Sequence, residues 1–275
     1  MTVNVAPPAI DSTLDKFDSV DEKTKILNQL LRHTQVTKDF DLLKFAAAAS
    51  RQLQHLNNPA PDTDTRLISS PYNDPPHLLD LNRLDTQNRL LSLALASFRP
   101  IRDDYATAAY LDSFNWQEVF NLVKAYSDAE GHEWTTQAFY VVEFRSVLNP
   151  GIDQDRLHAL DAYSHQEATT SGGLLKYWFG TANEKRQNLA TCVCITVLRI
   201  YCLLTFFFFF FQLGIWRSRE DARLGGLGPW HAKARAAVRE MYETIVFTTM
   251  RLEIADGVKG WKISGWQEEG HVQKH

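Results

Sequence analysis

Residues 193 to 215 place the strongest constraint on how this 275-residue chain can fold, because they carry a single charge, Arg199. Six consecutive phenylalanines occupy positions 206 to 211. On hydropathy alone the segment predicts a membrane-spanning helix, since about 20 apolar residues cross a bilayer. An exposed phenylalanine run of this kind is also an aggregation hazard in a soluble protein. The segment therefore has to be a membrane anchor, a buried helix, or a stretch foreign to the fold.

Two observations argue against a membrane anchor. A predicted strand at 188 to 192 leads into the segment and further strands of the same predicted sheet follow it, so a crossing would separate strands that must pair. The rest of the sequence has no second stretch apolar enough to return the chain. Single-pass membrane anchoring by 193 to 215 and a buried helix remain the alternatives to a foreign segment.

The same residues are compatible with the signals of an intron. Val193-Cys194 can be encoded by GTATGT, a donor sequence, and Leu204-Thr205 by a branch-point sequence. The phenylalanine codons would then form the pyrimidine tract, and Gln212 can be encoded by the acceptor CAG. We therefore interpret 193 to 215 as a translated retained intron, with the acceptor end uncertain by a few residues.

Composition excludes several functional classes. The net charge is -4 and the basic residues are scattered, which gives no global field for nucleic acid. The three cysteines, Cys192, Cys194 and Cys202, lie in or beside the apolar segment, and their spacing predicts neither a disulfide framework nor a metal site. The first residues resemble neither a secretory signal nor a presequence. We expect a cytoplasmic protein without a cofactor, and a membrane protein only if 193 to 215 is genuine.

The first half of the chain predicts a mainly helical region at 23 to 134, after a disordered acidic N-terminus at 1 to 22. Apolar residues recur at helical spacing on both sides of a Pro-rich loop at 57 to 76. Ser113 is the expected N-cap of one helix and Gly131 its end. The predicted helices are two within 23 to 55, one at 78 to 98 and one at 113 to 131.

The second half, 135 to 275, predicts an α+β domain. Its segments alternate as β-α-β-β-α-β, the order of a ferredoxin-like unit with two helices on one face of an antiparallel sheet. The foreign segment at 193 to 215 interrupts it. The predicted strands are 138 to 148, 173 to 180, 188 to 192 and 246 to 254, with a hairpin partner at 260 to 266, and the predicted helices are 153 to 172 and 216 to 245.

From about residue 78 to residue 266 the chain resembles an uncharacterised fungal protein family that has no assigned activity. The resemblance is carried by "PIRDDYATAAYLDSFNW" (100 to 116), "FYVVEFRSVLNPGID" (139 to 153), "SGGLLKYWFG" (171 to 180), "NLATC" (188 to 192) and "WRSREDARLGGLGPWHAKAR" (216 to 235). In that family the strand leads directly into the Trp-Arg-Ser turn. The phenylalanine run departs from this pattern, which favours the intron interpretation.

The last 140 residues more distantly resemble the dimeric α/β-barrel proteins that include antibiotic-biosynthesis monooxygenases. The shared features are the element order and a strand ending in Trp, followed by a Ser-x-Glu-Asp helix start and a downstream His. The resemblance implies a homodimer through the sheet face and a pocket between sheet and helices. It suggests a small apolar ligand and cofactor-independent oxygenase or isomerase-like chemistry. Because this fold hosts many functions, a non-catalytic dimeric scaffold is the alternative.

Four residues are candidates for the site of such a ligand. His231, near the start of its predicted helix, is a candidate acid/base; the alternative is packing at the helix start. Trp216 faces either the core or the pocket, with the core favoured. Arg145 alternates with Glu143 along a strand, as a buried charge pair or as a pocket anchor.

The fourth candidate, Tyr177, lies on a strand that is apolar on both faces. Strand periodicity predicts one face with Leu175, Tyr177 and Phe179 and the other with Leu174, Lys176 and Trp178. Helices would cover one face, and either a partner subunit or the N-terminal helices the other. His158 and His165 share a helix face but lack the spacing of a metal pair, and we expect both to be exposed to solvent.

Overall fold

The computed structural model describes residues 66 to 195 and 228 to 266. The predicted acidic N-terminus, the two helices within 23 to 55 and residues 57 to 65 of the Pro-rich loop lie outside the described residues. So does the apolar segment from 196 onward, together with Trp216. Among the described residues, no helix is both long and apolar enough to cross a membrane.

The N-terminal part is a layer of helices that follows a short strand pair. Asp85 begins the first helix by accepting a hydrogen bond from the backbone of Asn88, so the helix is shorter than the predicted 78 to 98. Asn115, not Ser113, precedes the third helix, and Gly131 ends it with a positive φ as predicted. The elements are β1 (Arg66–Leu67), β2 (Leu79–Asp80), α1 (Thr86–Leu95), α2 (Tyr110–Ser113) and α3 (Trp116–Glu130).

The C-terminal part contains a five-stranded antiparallel sheet and two helices. The strand order across the sheet is β4-β5-β3-β6-β7. Its first four strands have the ferredoxin-like arrangement, which confirms the predicted fold, and β7 adds a fifth strand at the edge. The elements are β3 (Gln137–Leu148), α4 (Gln154–Ser171), β4 (Leu174–Phe179), β5 (Gln187–Ile195), α5 (Pro229–Met241), β6 (Tyr242–Ile254) and β7 (Trp261–Gly265).

In the C-terminal part, the ends of α5 and β5 also differ from the prediction. α5 ends at Met241 rather than at 245, because the β-branched and aromatic residues that follow it extend β6 alongside β3. β5 runs to Ile195, so residues 193 to 195 extend the strand although the sequence assigns them to the insertion. Val193 is fully buried in the main hydrophobic core.

Helices cover both faces of the sheet. α4 and α5 lie on one face, and the chain's own helices α1 and α3 lie on the other, where they form the main hydrophobic core with the sheet. Phe120 of α3 stacks on Trp261 of β7 with ring centroids 4.6 Å apart. The sequence predicted that either a partner subunit or the N-terminal helices would pack on this second face, and in the described structure the N-terminal helices do so.

A β-bulge in β4 places some side chains of that strand on the face opposite to the predicted one. The register against β5 shifts between Leu174 and Lys176, so that Leu174, not Leu175, shares a face with Tyr177. Leu175 instead packs into the main core beside Trp178. Lys176 is 1% exposed, and burial holds the pKa of its ammonium group well below the ordinary value.

Candidate functional site

A cavity of about 540 Å³ lies between the sheet and the helices α4 and α5. Its sheet side consists largely of small and apolar side chains, including Phe144, Ala190 and Cys192. Leu157 and Ala168 line it from α4. This is the position that the ferredoxin-like resemblance predicts for a pocket.

Asp161 forms the centre of a polar cluster in the cavity wall. The hydroxyl of Tyr177 donates to one carboxylate oxygen at 2.6 Å, and the hydroxyl of Tyr72 donates to the other. Loss of water raises the pKa of Asp161, and the two phenol hydrogen bonds oppose that rise. Loss of water and the nearby carboxylate raise the pKa of Tyr177 well above its ordinary value, so this phenol stays a hydrogen-bond donor.

His165 lies one helical turn beyond Asp161 and is 4% exposed, which corrects the expectation that it faces solvent. Its Nδ1 is 2.9 Å from the Nδ1 of His77, so one imidazole donates a hydrogen bond to the other. Burial, together with the neighbouring imidazoles of His77 and His231, lowers the pKa of His165 to about 3. The ring is therefore neutral at pH 7. His158 is exposed, as predicted, although it also contributes to the cavity wall.

Two buried polar atoms of the cavity wall have no hydrogen-bond partner among the described residues. They are Ser164 Oγ and His165 Nε2, on consecutive residues of α4. Buried polar atoms in folded proteins are nearly always hydrogen-bonded. Both atoms are covered even on the side of the cavity, so a molecule inside it reaches them only if the wall rearranges.

Glu167 fixes the start of α5 and the ring of His231. Its carboxylate accepts hydrogen bonds from the backbone N–H groups of Trp230 and His231, and from His231 Nδ1 at 2.7 Å. Burial acts to raise the pKa of Glu167, but these hydrogen bonds outweigh it and the pKa is lowered. A Cβ at Gly228 would collide with the same carboxylate, which explains the glycine before Pro229.

The structure brings two of the four predicted site residues into the cavity wall, Tyr177 and His231. His231 is 1% exposed, and burial lowers its pKa against the opposing effect of Glu167. Arg145 points to the other face of the sheet, where it pairs with Glu143 and donates to the carbonyl oxygens of Ala106 and Ala108, each at 2.6 Å. Of its two predicted roles, the structure shows the charge pair.

Sequence reasoning missed Asp161, Ser164, His165 and Tyr72. The first three recur at three- and four-residue spacing on α4, a signal that places them on one helix face but does not say what that face meets. Tyr72 comes from the Pro-rich loop and His77 directly follows it, both far from α4 in the sequence. Within the described ranges, no group of three side chains is arranged to hold a metal ion.

The fold and cavity define an α+β protein of ferredoxin-like topology with a ligand-sized space between sheet and helices. The chain belongs to the PB2B2.08-like family, whose model matches residues 68–196 and 211–265. It is 36% identical over 212 residues to UPF0643 protein PB2B2.08 of Schizosaccharomyces pombe, a match that covers 74% of this chain and 86% of that protein. The predicted membership of a fungal family is confirmed.

Among solved structures, one similar chain is a putative antibiotic biosynthesis monooxygenase from Bacteriodes thetaiotaomicron. The match covers 50% of this chain and 95% of the other, at 14% sequence identity and a TM-score of 0.24. That score is too low to support an argument about function. The ferredoxin-like assignment rests on the strand order of the sheet.

Proposed function

We propose that this protein binds a small, largely apolar molecule in the cavity between the sheet and the helices α4 and α5. The observation that carries the proposal is the cavity itself, whose volume of about 540 Å³ lies in the range of small-molecule sites. Apolar side chains dominate its wall, and polar groups converge at one end around Asp161. This combination is typical of a site that takes up an apolar body and orients it by a few polar contacts.

The position of His231 also supports binding over a purely structural role. A scaffold would have a filled interior with His231 in solvent, whereas this ring is buried and lines the cavity. Cofactor-independent oxygenase or isomerase-like chemistry on the bound molecule would need a group that accepts a proton. Asp161 and His231 are the wall residues suited to that role, and catalysis by either is part of this proposal.

The predicted homodimer stays a prediction. α1 and α3 cover much of the sheet face on which a second copy would pack. The outer half of β6 is more open, since Val246 on that face is 58% exposed.

We propose that the apolar segment is a translated intron, as its sequence suggests. In support, the family model leaves residues 197 to 210 unmatched between its two matched stretches. Splicing from the codon of Val193 through that of Gln212 would join Cys192 to Leu213-Gly214-Ile215. Sequencing of the mature transcript tests this, and persistence of the phenylalanine codons would contradict it.

The binding proposal is tested by titrating the full chain with naphthalene, a small apolar probe. We expect saturable binding that is weakened in Ala190→Leu, because Ala190 lines the cavity and the larger side chain takes up part of its space. Ala232→Leu is the matched control, since Ala232 is exposed on α5 and lies outside the cavity wall. Absence of binding, or equal binding to both variants, would contradict the proposal.

A further inference from the structure

We infer that the molecule bound in the cavity carries an oxygen that accepts hydrogen bonds, as a carbonyl oxygen does, and that Ser146 and Asn188 hold this oxygen. The inference rests on the proposed binding function and adds the chemical class of the ligand. It follows from the position of these two side chains on the sheet and from the hydrogen bonds that each of them already makes.

Ser146 and Asn188 are neighbours on the cavity face of the sheet. Ser146 of β3 pairs directly with Asn188 of β5, and both residues line the cavity. The Cβ atoms of directly opposite residues are about 4.5 to 5.5 Å apart. By strand alternation they share this face with Phe144 and Ala190, which form the next row of the wall. A single small group can therefore contact both side chains while an apolar body lies on that next row.

The two side chains offer hydrogen-bond donors to this group. Asn188 Oδ1 accepts from the backbone N–H of Leu189 at 2.7 Å, which fixes the orientation of the amide and leaves Nδ2, a donor only. Within the part of the chain that the structure describes, neither Asn188 Nδ2 nor Ser146 Oγ has a hydrogen-bond partner. Both residues are half-buried, and neither atom is among the fully covered polar atoms. A molecule in the cavity can reach both.

This pair is separate from the cluster around Asp161. Tyr177, which donates to Asp161, pairs with Cys192. Cys192 lies four residues beyond Asn188 on β5, a distance of about 13 Å along an extended strand. Ala190 lies between them, so the sheet side of the wall changes from polar to apolar and back to polar.

A carbonyl oxygen matches the two donors. A wholly apolar molecule that excludes water from Ser146 and Asn188 leaves both groups unpaired, which costs affinity. A carbonyl oxygen has two lone pairs and can accept from both donors at once, so it offsets that cost. The apolar remainder of the molecule then lies against Phe144 and Ala190.

The test uses two probes of nearly the same shape, 2-acetylnaphthalene and 2-ethylnaphthalene, in which a carbonyl replaces a methylene group. Both are titrated into the full chain at pH 7. Ser146→Ala and Asn188→Asp should each weaken 2-acetylnaphthalene between about twofold and tenfold, the contribution of one hydrogen bond, and leave 2-ethylnaphthalene nearly unchanged. Asn188→Asp keeps an oxygen for the N–H of Leu189 and replaces only the donor. Ser171→Ala is the control, because Ser171 is exposed on α4 outside the wall.

The outcomes separate this inference from the function on which it rests. Unchanged binding of 2-acetylnaphthalene in either variant overturns the inference and leaves apolar binding in place. An equal loss of both probes in a folded variant also overturns it, because the side chain would then act only through packing. Failure of both probes to bind the wild-type chain overturns the proposed function, and the inference with it.

Discussion

His165 makes the stability of this protein sensitive to acid in a way that can be calculated. Its folded pKa is about 3, against 6.5 for an exposed histidine, and burial is the main cause. Between these values the unfolded chain binds a proton at this side chain and the folded chain does not. The free energy of unfolding therefore holds its full value above pH 6.5 and decreases as the pH falls toward 3.

The size of the effect follows from the shift. Each pH unit inside this window costs about 1.4 kcal/mol per proton, so acidification from pH 6.5 to pH 4 should remove roughly 3 kcal/mol. That is a large fraction of the stability of an ordinary domain, which is about 5 to 15 kcal/mol. The change should be visible as a steep decrease in the urea midpoint.

The assay compares urea unfolding of the wild-type chain and of His165→Gln at half-unit steps from pH 7.5 to pH 4. The variant removes the titrating imidazole, so the difference in unfolding free energy between the two proteins should shrink or reverse as the pH falls. Its absolute stability at pH 7 does not matter, because the prediction concerns the slope. His158→Gln is the matched control, because it changes an exposed histidine of the same helix and leaves the pair of His165 and His77 in place.

A constant difference between wild type and His165→Gln across this range would refute the reasoning. It would mean that His165 is hydrated in the folded protein or takes up its proton without cost. The wall of the cavity would then differ from the arrangement in which His165 is paired with His77.

Three further substitutions test the packing around the site, each by urea unfolding. Glu167→Ala should cost about 1 to 2 kcal/mol, because the backbone N–H groups at the start of α5 lose their acceptor, and an unchanged midpoint would contradict this. Gly228→Ala should destabilise the wild-type chain, because the added Cβ collides with the Glu167 carboxylate. The same substitution should cost much less in the Glu167→Ala variant, and additive costs of the two substitutions would contradict this explanation. Trp261→Ala should lower the free energy of unfolding by about 3 to 5 kcal/mol, because Trp261 stacks on Phe120 in the core. A loss below about 1 kcal/mol would show that the ring is not packed there.

The order of the elements could be predicted from the sequence because strands and helices of this sheet have distinct periodicities. The β-branched and aromatic stretch that forms β3 predicts its strand to within one residue at either end. The end of α5 was misplaced, since Tyr242 and its neighbours are compatible with both helix and strand until β3 pairs with them. The bulge in β4 depends on the register with β5, which strand periodicity does not encode.

The site was predictable only in part. Tyr177 and His231 were identified because the fold places their segments beside the space between sheet and helices. Asp161 and His165 were not, because their roles depend on Tyr72 and His77, which lie 89 and 88 residues away along the chain. Contacts over such distances are fixed by tertiary packing and leave no local sequence signal.

The measurement that tests the central claim most directly is a crystal structure of the full chain with naphthalene. We predict that the naphthyl rings occupy the cavity between α4 and the sheet, in contact with Phe144. Rings bound outside the cavity, or a cavity closed by side chains in the presence of saturating naphthalene, would contradict the proposal that this space is a ligand site.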